Sequence, residues 1–566
     1  MIPIEIMPGL SRPSMVVAVR NYVASKGLPS RFKLSKASII GAKDDKYKDK
    51  QNPKKHGNHG GLKNGMNRTD INKKPSTFKF GEFGGLKKDP SEKTRHTKHL
   101  LDKIHDFESL KLLPITRSII QNVIARESIA LKNKNASDVT KISPTPIQTV
   151  TIKRLSQKLL NPDFNVYAIA ADTGSGKTMA YLIPLVDYLL RLKGDESIPV
   201  AKAGILSVIL VPTYELIQQV YETLSELGKE AGLNVYKWDS TTQYGDLLEH
   251  IKHNIDIMVT TPNKLNSIHN IKMITRPDRI LSNVKFAIVD EADTLMDPSW
   301  LDLTLQCTRQ FKNMNHLILC SATIPNEFNK TLTKLFPTVE VITTPRLHKL
   351  AKRLEFKIID STLNPFKGSK IKTLSQILYS IRQDNTEPGF EKRCIVFVNE
   401  KSEVKLLAEK LTSDYKIDCI GLSSENTIEE RLSQVKEFLS EPRRLSEPKN
   451  KGLNKIVTPS KTVTIPGSNI SIPRNELATA ISQKSLNVSP LKILICTDLL
   501  ARGLNFQGVR NIVLYDVPKT SIDLVHRVGR TARMSQSGRV FMITDKKTKS
   551  WAKGLPKVIK NNVTLV

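Results

Sequence analysis

The chain has 566 residues, 39% of them apolar and 6% aromatic, with a formal net charge of +32. That length exceeds one ordinary domain and predicts two folded domains with tails. No run approaches the ~18 apolar residues of a membrane span. Five scattered cysteines (Cys307, Cys320, Cys394, Cys419, Cys496) with no Cys-x-x-Cys pair argue against a disulfide framework or a zinc site, and for a reducing compartment. An excess of +14 falls in residues 1–100 and +5 in residues 441–489, leaving +13 for the folded part. Such a field draws polyanions by releasing their counterions.

Residues 1–43 carry Arg12, Arg20, Lys26, Arg31, Lys33, Lys36 and Lys43 against the single acid Glu5, with frequent serines and no long apolar core. This is the pattern of a mitochondrial transit peptide and predicts a matrix protein. Residues 44–98 are rich in Lys, Asn, Gly and His and read as a basic, disordered linker. Order is expected to begin near Phe107, where Leu101, Ile104, Leu110, Leu112 and Leu113 open an apolar pattern.

From there strands and helices alternate. Apolar runs at Val166–Ala170, Leu206–Val211, Asp256–Val259, Phe286–Val289 and Leu317–Cys320 predict one parallel sheet covered on both faces. A second set at Cys394–Val398, Asp418–Gly421, Ile493–Cys496, Asn511–Tyr515 and Val540–Ile543 predicts another. Ala180–Leu192 carries a helical apolar stripe. The fold class is therefore α/β, two parallel-sheet domains in tandem, over residues 99–346 and 353–566. Residues 441–489, rich in Pro, Ser, Asn and Lys, read as a disordered surface insertion in the second.

Two loops carry chemistry. Ala171-Asp172-Thr173-Gly174-Ser175-Gly176-Lys177-Thr178 joins a predicted strand to a helix and matches a phosphate-binding loop, with Ala171 in place of the first glycine. Its amides would hold phosphates at a helix N-terminus, Lys177 would add a point charge, and the Thr178 hydroxyl would ligate Mg²⁺. Asp290-Glu291-Ala292-Asp293 directly follows the strand Phe286–Val289, at the carboxyl edge where open sheets bind ligands. Asp290 would hold Mg²⁺ largely through water, and Glu291 would polarise the attacking water. Near the end, Arg527, Arg530 and Arg533 recur at three-residue spacing after His526, which on a helix would put them on one face and offer an arginine finger.

With these residues in view the chain resembles the DEAD-box RNA helicases from about Phe107 to the C-terminus. Ser143–Gln148 resembles the adenine-reading element, with Gln148 as the base contact and Phe107 as a stacking partner. Pro212-Thr213-Tyr214-Glu215 and Thr261-Pro262-Asn263-Lys264 resemble first-domain RNA contacts. Ser321-Ala322-Thr323 resembles the element coupling hydrolysis to unwinding, with Asp293 in the same role. In the second domain Asn399, Arg431 and Thr497 resemble RNA contacts, and Gly503 and Asn505 nucleotide contacts. Arg530 and Arg533 fall where the family's γ-phosphate arginines lie, with His526 linking them to the other domain.

The resemblance implies two RecA-like domains, largely monomeric, that close on ATP, Mg²⁺ and RNA and locally remodel RNA or RNA–protein structure without processive unwinding. The basic amino-terminal segment and Lys546–Lys557 narrow it to the mitochondrial branch in yeasts that serves large-ribosomal-subunit assembly. That branch implies mitochondrial ribosomal RNA as substrate and large-subunit precursor proteins as partners. An ATP-gated RNA clamp is the alternative. Several positions depart from the pattern. Tyr214 stands for an arginine, Asn263-Lys264 for Gly-Arg, Thr241-Thr242 for a glycine pair, Asn505 for an aspartate and Glu400 for a threonine. A tyrosine cannot fork onto a phosphate as arginine does, so the first-domain RNA grip is expected to differ.

Overall fold

The computed structural model describes residues 92–127, 142–195, 204–344, 353–445, 462–464, 471–473, 490–498, 502–532, 536–548 and 555, apart from 275, 385, 388 and 424. All of them belong to one compact unit. The expected transit peptide, the linker up to residue 91, the joint at 345–352, most of the insertion and Arg533 lie outside the described residues.

Structure begins earlier than Phe107, with a helix over Glu92–Lys103. Leu100, Leu101 and Ile104 pack against the core, so the apolar pattern that opens at Leu101 is already structural. The first sheet holds β1 (Asn165–Ala170), β2 (Ile205–Leu210), β3 (Val235–Trp238), β4 (Ile255–Thr260), β5 (Phe286–Val289), β6 (His316–Ser321) and β7 (Glu340–Thr343), in the order β3-β4-β2-β5-β6-β1-β7. All its pairings are parallel. The second holds β8 (Leu354–Asp360), β9 (Lys392–Phe397), β10 (Ile420–Leu422), β13 (Leu491–Cys496), β14 (Val509–Leu514) and β15 (Gly538–Thr544), in the order β10-β13-β9-β14-β15-β8, also parallel. Within the expected insertion, β11 (Thr462–Thr464) and β12 (Ser471–Pro473) pair antiparallel.

The strands foreseen as continuous apolar runs are the interior ones together with β10, an edge strand that lies at Ile420–Leu422 rather than Asp418–Gly421. β3, β7 and β8 each lie at a sheet edge and are only partly buried, with polar residues interrupting the apolar ones: Lys237 in β3, Glu340 and Thr343 in β7, Glu355 and Lys357 in β8. Their residues therefore carry no run to detect. Cys320 and Cys496 sit in β6 and β13 as small buried hydrophobes, and burial raises both thiol pKa values.

The phosphate-loop helix, Lys177–Gly194, is buried on nearly every side: the helices Pro146–Leu155 and Tyr214–Ala231 pack on it, and the helix Pro114–Glu127 joins it as a further neighbour. Asp187, fully buried within the phosphate-loop helix, ties it to this last neighbour. Its carboxylate accepts from the Leu113 backbone N–H at 2.8 Å, the Thr116 hydroxyl at 2.9 Å and Arg191 Nε at 2.8 Å. Asp187→Ala strands these donors, and the unfolding free energy should fall by about 3 kcal/mol. Chemical denaturation checks this, and an unchanged midpoint would contradict the anchoring role.

Candidate active site between the two sheets

Sheet order decides which loops meet. In the first sheet β5, β6 and β1 are neighbours, so the loops after them converge at one carboxyl edge. Register places Ala170 beside Ser321, and the Ala171 N–H donates to the Ser321 carbonyl at 3.3 Å. The phosphate-type loop, the Asp290–Asp293 segment and Ser321–Thr323 thus share one corner.

Gly174 and Gly176 take positive φ of 74° and 88°, turning the loop tightly before the helix begins at Lys177. A Cβ on Gly176 would sit 2.7 Å from Gln148 Nε2, which donates to the Gly176 carbonyl at 3.3 Å. Gln148 is held in turn by a reciprocal capping box with Thr145. Lys177 Nζ donates to the carbonyls of Ala171 (2.9 Å) and Asp172 (3.2 Å). Phe107 corrects its expected role. Its ring is fully enclosed in the hydrophobic core and presents no open face to a base.

Asp290 Oδ1 accepts the Glu291 N–H at 2.9 Å and its Oδ2 accepts the Tyr181 hydroxyl at 2.8 Å. Burial, reinforced by the charge of Glu291, pushes the Asp290 carboxyl up to about 6 despite the hydrogen bond from Tyr181. Glu291 holds φ of +49°, a conformation few non-glycine residues adopt. Its Oε2 and the Ser175 hydroxyl are buried with no hydrogen-bond partner. Buried oxygens left unpaired beside two glycine turns fit a polar, phosphate-bearing ligand with an oxygen-loving divalent cation.

Asp293 faces the second domain. Its Oδ2 accepts the Thr323 hydroxyl at 2.6 Å and lies 2.9 Å from His526 Nε2. Burial alone would raise the Asp293 carboxyl, but the charge of His526, its hydrogen bond and Arg502 outweigh that and hold it well below the usual carboxylate range. Ser321 supports the chain, its hydroxyl donating to the Thr323 carbonyl at 2.7 Å. The expected coupling residues therefore form one connected path.

In the second sheet β13, β9 and β14 are neighbours, and the residues after them converge on Arg527. Its guanidinium reaches both oxygens of Asp498 at 2.7 Å, Asn399 Oδ1 at 2.6 Å and the Asp516 carbonyl at 3.0 Å, and it is almost wholly buried. The expectation of three arginines on one helical face is corrected. The helix spans only Ser521–Val528, and Arg530 follows in a tighter turn whose amide bonds three residues back to Arg527. Arg530 instead donates to the carbonyls of Leu504 (2.7 Å) and His526 (3.0 Å), and burial lowers its pKa to about 10 against the pull of Glu291.

Further contacts join the halves. The Thr173 hydroxyl donates to the Gly529 carbonyl at 3.0 Å, and a Cβ on Gly529 would lie 1.9 Å from that hydroxyl oxygen. Arg502 donates to Thr294 Oγ1 at 2.7 Å and to Asp523 at 2.9 Å. Gln219 bonds the Gly503 carbonyl and the Asn505 N–H, and a Cβ on Gly503 would meet Leu216 at 2.6 Å. Tyr181, Gln219, Thr294, Asp498 and Arg502 were not singled out from the sequence. Asp498 and Arg502 lie between Thr497 and Gly503, next to expected contacts, whereas Gln219 is one polar residue among many on an amphipathic helix.

The loops after β3, β4 and β2 gather at the other end of the first sheet's carboxyl edge. Thr213 and Thr261 cap the helices that follow, accepting from Leu216 N and Lys264 N. Pro212 is buried, Tyr214 half-buried, Asn263 exposed and Lys264 half-buried. Glu215 and Arg431, both expected on RNA, pair with each other across the domains at 3.0 Å, the Glu215 side chain wholly buried. Thr497 ends half-buried beside β13.

Residues 145–331 match the family model of the DEAD/DEAH box helicase, and 469–535 that of the helicase conserved C-terminal domain. The chain is 50% identical to the mitochondrial ATP-dependent RNA helicase MRH4 of Saccharomyces cerevisiae, over 99% of this chain and 98% of that protein. Its counterpart of the same name in Vanderwaltozyma polyspora is 54% identical over 87% and 91%. Among solved structures, Mss116p bound to single-stranded RNA and AMP-PNP aligns with a TM-score of 0.56 at 20% identity, covering 81% of this chain and 80% of that one. Dbp5 of S. cerevisiae bound to RNA and ADP BeF3 aligns at 0.54 and 20%, covering 80% and 93%. These two share the fold of paired parallel sheets.

Arg527 carries the second domain's half of the site, so its loss should be structural first. Arg527→Ala leaves Asp498 without its buried partner and should lower stability by about 3 to 5 kcal/mol. Thermal unfolding checks it, and an unshifted transition would mean the ion pair is dispensable.

Proposed function

The chain belongs to the DEAD-box RNA helicases, and from that premise we propose that it couples ATP hydrolysis in the mitochondrial matrix to local remodelling of RNA or RNA–protein structure. Large-subunit ribosomal RNA and its precursor proteins are the proposed target. The mitochondrial relatives and the transit-like basic segment support the compartment. The ribosomal target rests on resemblance to the yeast branch alone.

The observation that carries the reading is the meeting of two half-sites. Thr173, Asp293, Thr294 and Gln219 of the first domain bond Gly529, His526, Arg502 and the Gly503–Asn505 segment of the second. Lys177 and Glu291 belong to one domain and Arg530 to the other, so neither domain alone holds a complete set. Ala171–Thr178 would receive the phosphates and Gln148 the base. When bound, Mg²⁺ would neutralise phosphate charge, held by Thr178 and Asp290 largely through water. Glu291 would take a proton from the attacking water, and Arg530, with Arg533, would face the developing charge. RNA backbone bent along Pro212–Tyr214, Thr261–Lys264, Asn399 and Thr497 would favour closure, and by reciprocity RNA and ATP should tighten each other's binding.

The pairing of Glu215 with Arg431 favours keeping the ATP-gated clamp as a second reading, because it removes two charged side chains from the RNA path. ATPase of the full chain with and without structured RNA tests both. RNA should stimulate the wild type, Lys177→Ala should lose nucleotide binding, and Arg530→Ala should cut turnover ~10³–10⁵-fold while sparing nucleotide affinity. Glu291→Gln should abolish turnover; if it still supports the RNA-bound role, the clamp is the better account. A wild-type rate indifferent to RNA would contradict coupled closure.

A further inference from the structure

The edge built by β3 and β4 holds aromatic side chains, Trp238 and Tyr244, that neither ATP chemistry nor backbone contact uses. Trp238 ends β3 opposite Thr260, whose hydroxyl donates to the Trp238 carbonyl at 2.7 Å. Lys264, in the helix after β4, places its ammonium 5.3 Å from the Trp238 ring centre and 5.1 Å from that of Tyr244. Trp238 is fully buried, whereas Tyr244 is 49% exposed.

Tyr244 is also firmly mounted. The turn before it is fixed by Asp239 Oδ1, which accepts from the Thr241 N–H and hydroxyl at 2.8 and 2.6 Å. The helix it opens, Tyr244–Lys252, is held to β3 by the Tyr236 hydroxyl donating to Asp246 at 2.9 Å and by Tyr236 against the His250 ring at 4.5 Å. An exposed aromatic side chain on a rigid mount, next to one ammonium, matches a nucleotide. The ring offers a stacking face and the ammonium a phosphate partner.

We propose that Tyr244 is a stacking platform for one nucleobase of single-stranded RNA, with Lys264 on the adjoining phosphate. The proposal rests on the helicase reading and deepens it, because it adds a base contact to motifs that otherwise meet only backbone. Asn263-Lys264 and Thr241-Thr242, which replace Gly-Arg and a glycine pair, are then parts of one altered RNA subsite. Burial lowers the Lys264 pKa, partly offset by Asp239, so a phosphate alongside would restore what desolvation removes.

The test is RNA affinity by fluorescence anisotropy in AMP-PNP, using a short oligouridylate and versions with a single abasic site moved along it. Tyr244→Phe should bind within about twofold of wild type, and Tyr244→Ala roughly 5- to 150-fold more weakly, the range one stacked base is worth. One abasic position should weaken wild type by the same factor and leave Tyr244→Ala unaffected. Far-ultraviolet dichroism and thermal melting confirm that the variants stay folded. If Tyr244→Ala binds like wild type, or every abasic position costs both proteins equally, the platform is wrong while the helicase reading stands. If wild type binds no RNA, both fall together.

Discussion

One carboxylate holds the halves of this molecule in register. Asp293 Oδ2 takes a hydrogen bond from Thr323 in its own domain and lies 2.9 Å from His526 in the other. Both Asp293 and His526 are nearly inaccessible to water, where an unpaired charge would cost several kcal/mol. The contact is therefore worth making only when both partners arrive. Arg502 adds a second tie one residue along, through Thr294, and its positive charge also favours the ionised Asp293. The residue that reports on the Ser321–Thr323 segment is thus the residue the second domain grips.

Topology makes that arrangement available. The first sheet divides its carboxyl edge in two, with β1, β6 and β5 carrying the nucleotide-type loops and β2, β4 and β3 the RNA-type loops. Because β2 and β5 are neighbours, the two functions sit on adjoining stretches of one rigid edge. The second sheet repeats the device, gathering Asn399, Asp498 and Asp516 around Arg527. Glycine is needed where the halves press closest. Gly529 lies against Thr173, and Gly503, at φ of +72°, against Leu216 and Glu291.

Much of this was legible in the sequence, for identifiable reasons. Strands buried on both faces announce themselves as apolar runs, and loops after them carried their chemistry in order. Edge strands β3, β7 and β8 did not, because each is only partly buried and polar residues break its apolar run, while β10, also at an edge, was placed two residues early at its start. The arginine spacing misled because periodicity cannot say where a helix stops, and here it stops at Val528. Phe107 misled for a related reason, since an aromatic in the right place can serve the core instead of a ligand. Glu215 with Arg431, and Gln219 with Gly503, are pairs separated by hundreds of positions, and no local pattern links them.

The central claim is that closure runs through Asp293. Leu160 and Leu406 are exposed, one in each domain, and four of the five native cysteines are buried, so Leu160→Cys and Leu406→Cys accept a fluorophore pair selectively. Energy transfer between these sites, measured as AMP-PNP and single-stranded RNA are added, follows closure directly. The account predicts a rise in the wild-type background and little or none with Asp293→Asn, while AMP-PNP alone still binds the variant. Full closure with Asp293→Asn would contradict it and move the coupling to Arg502 or Gln219.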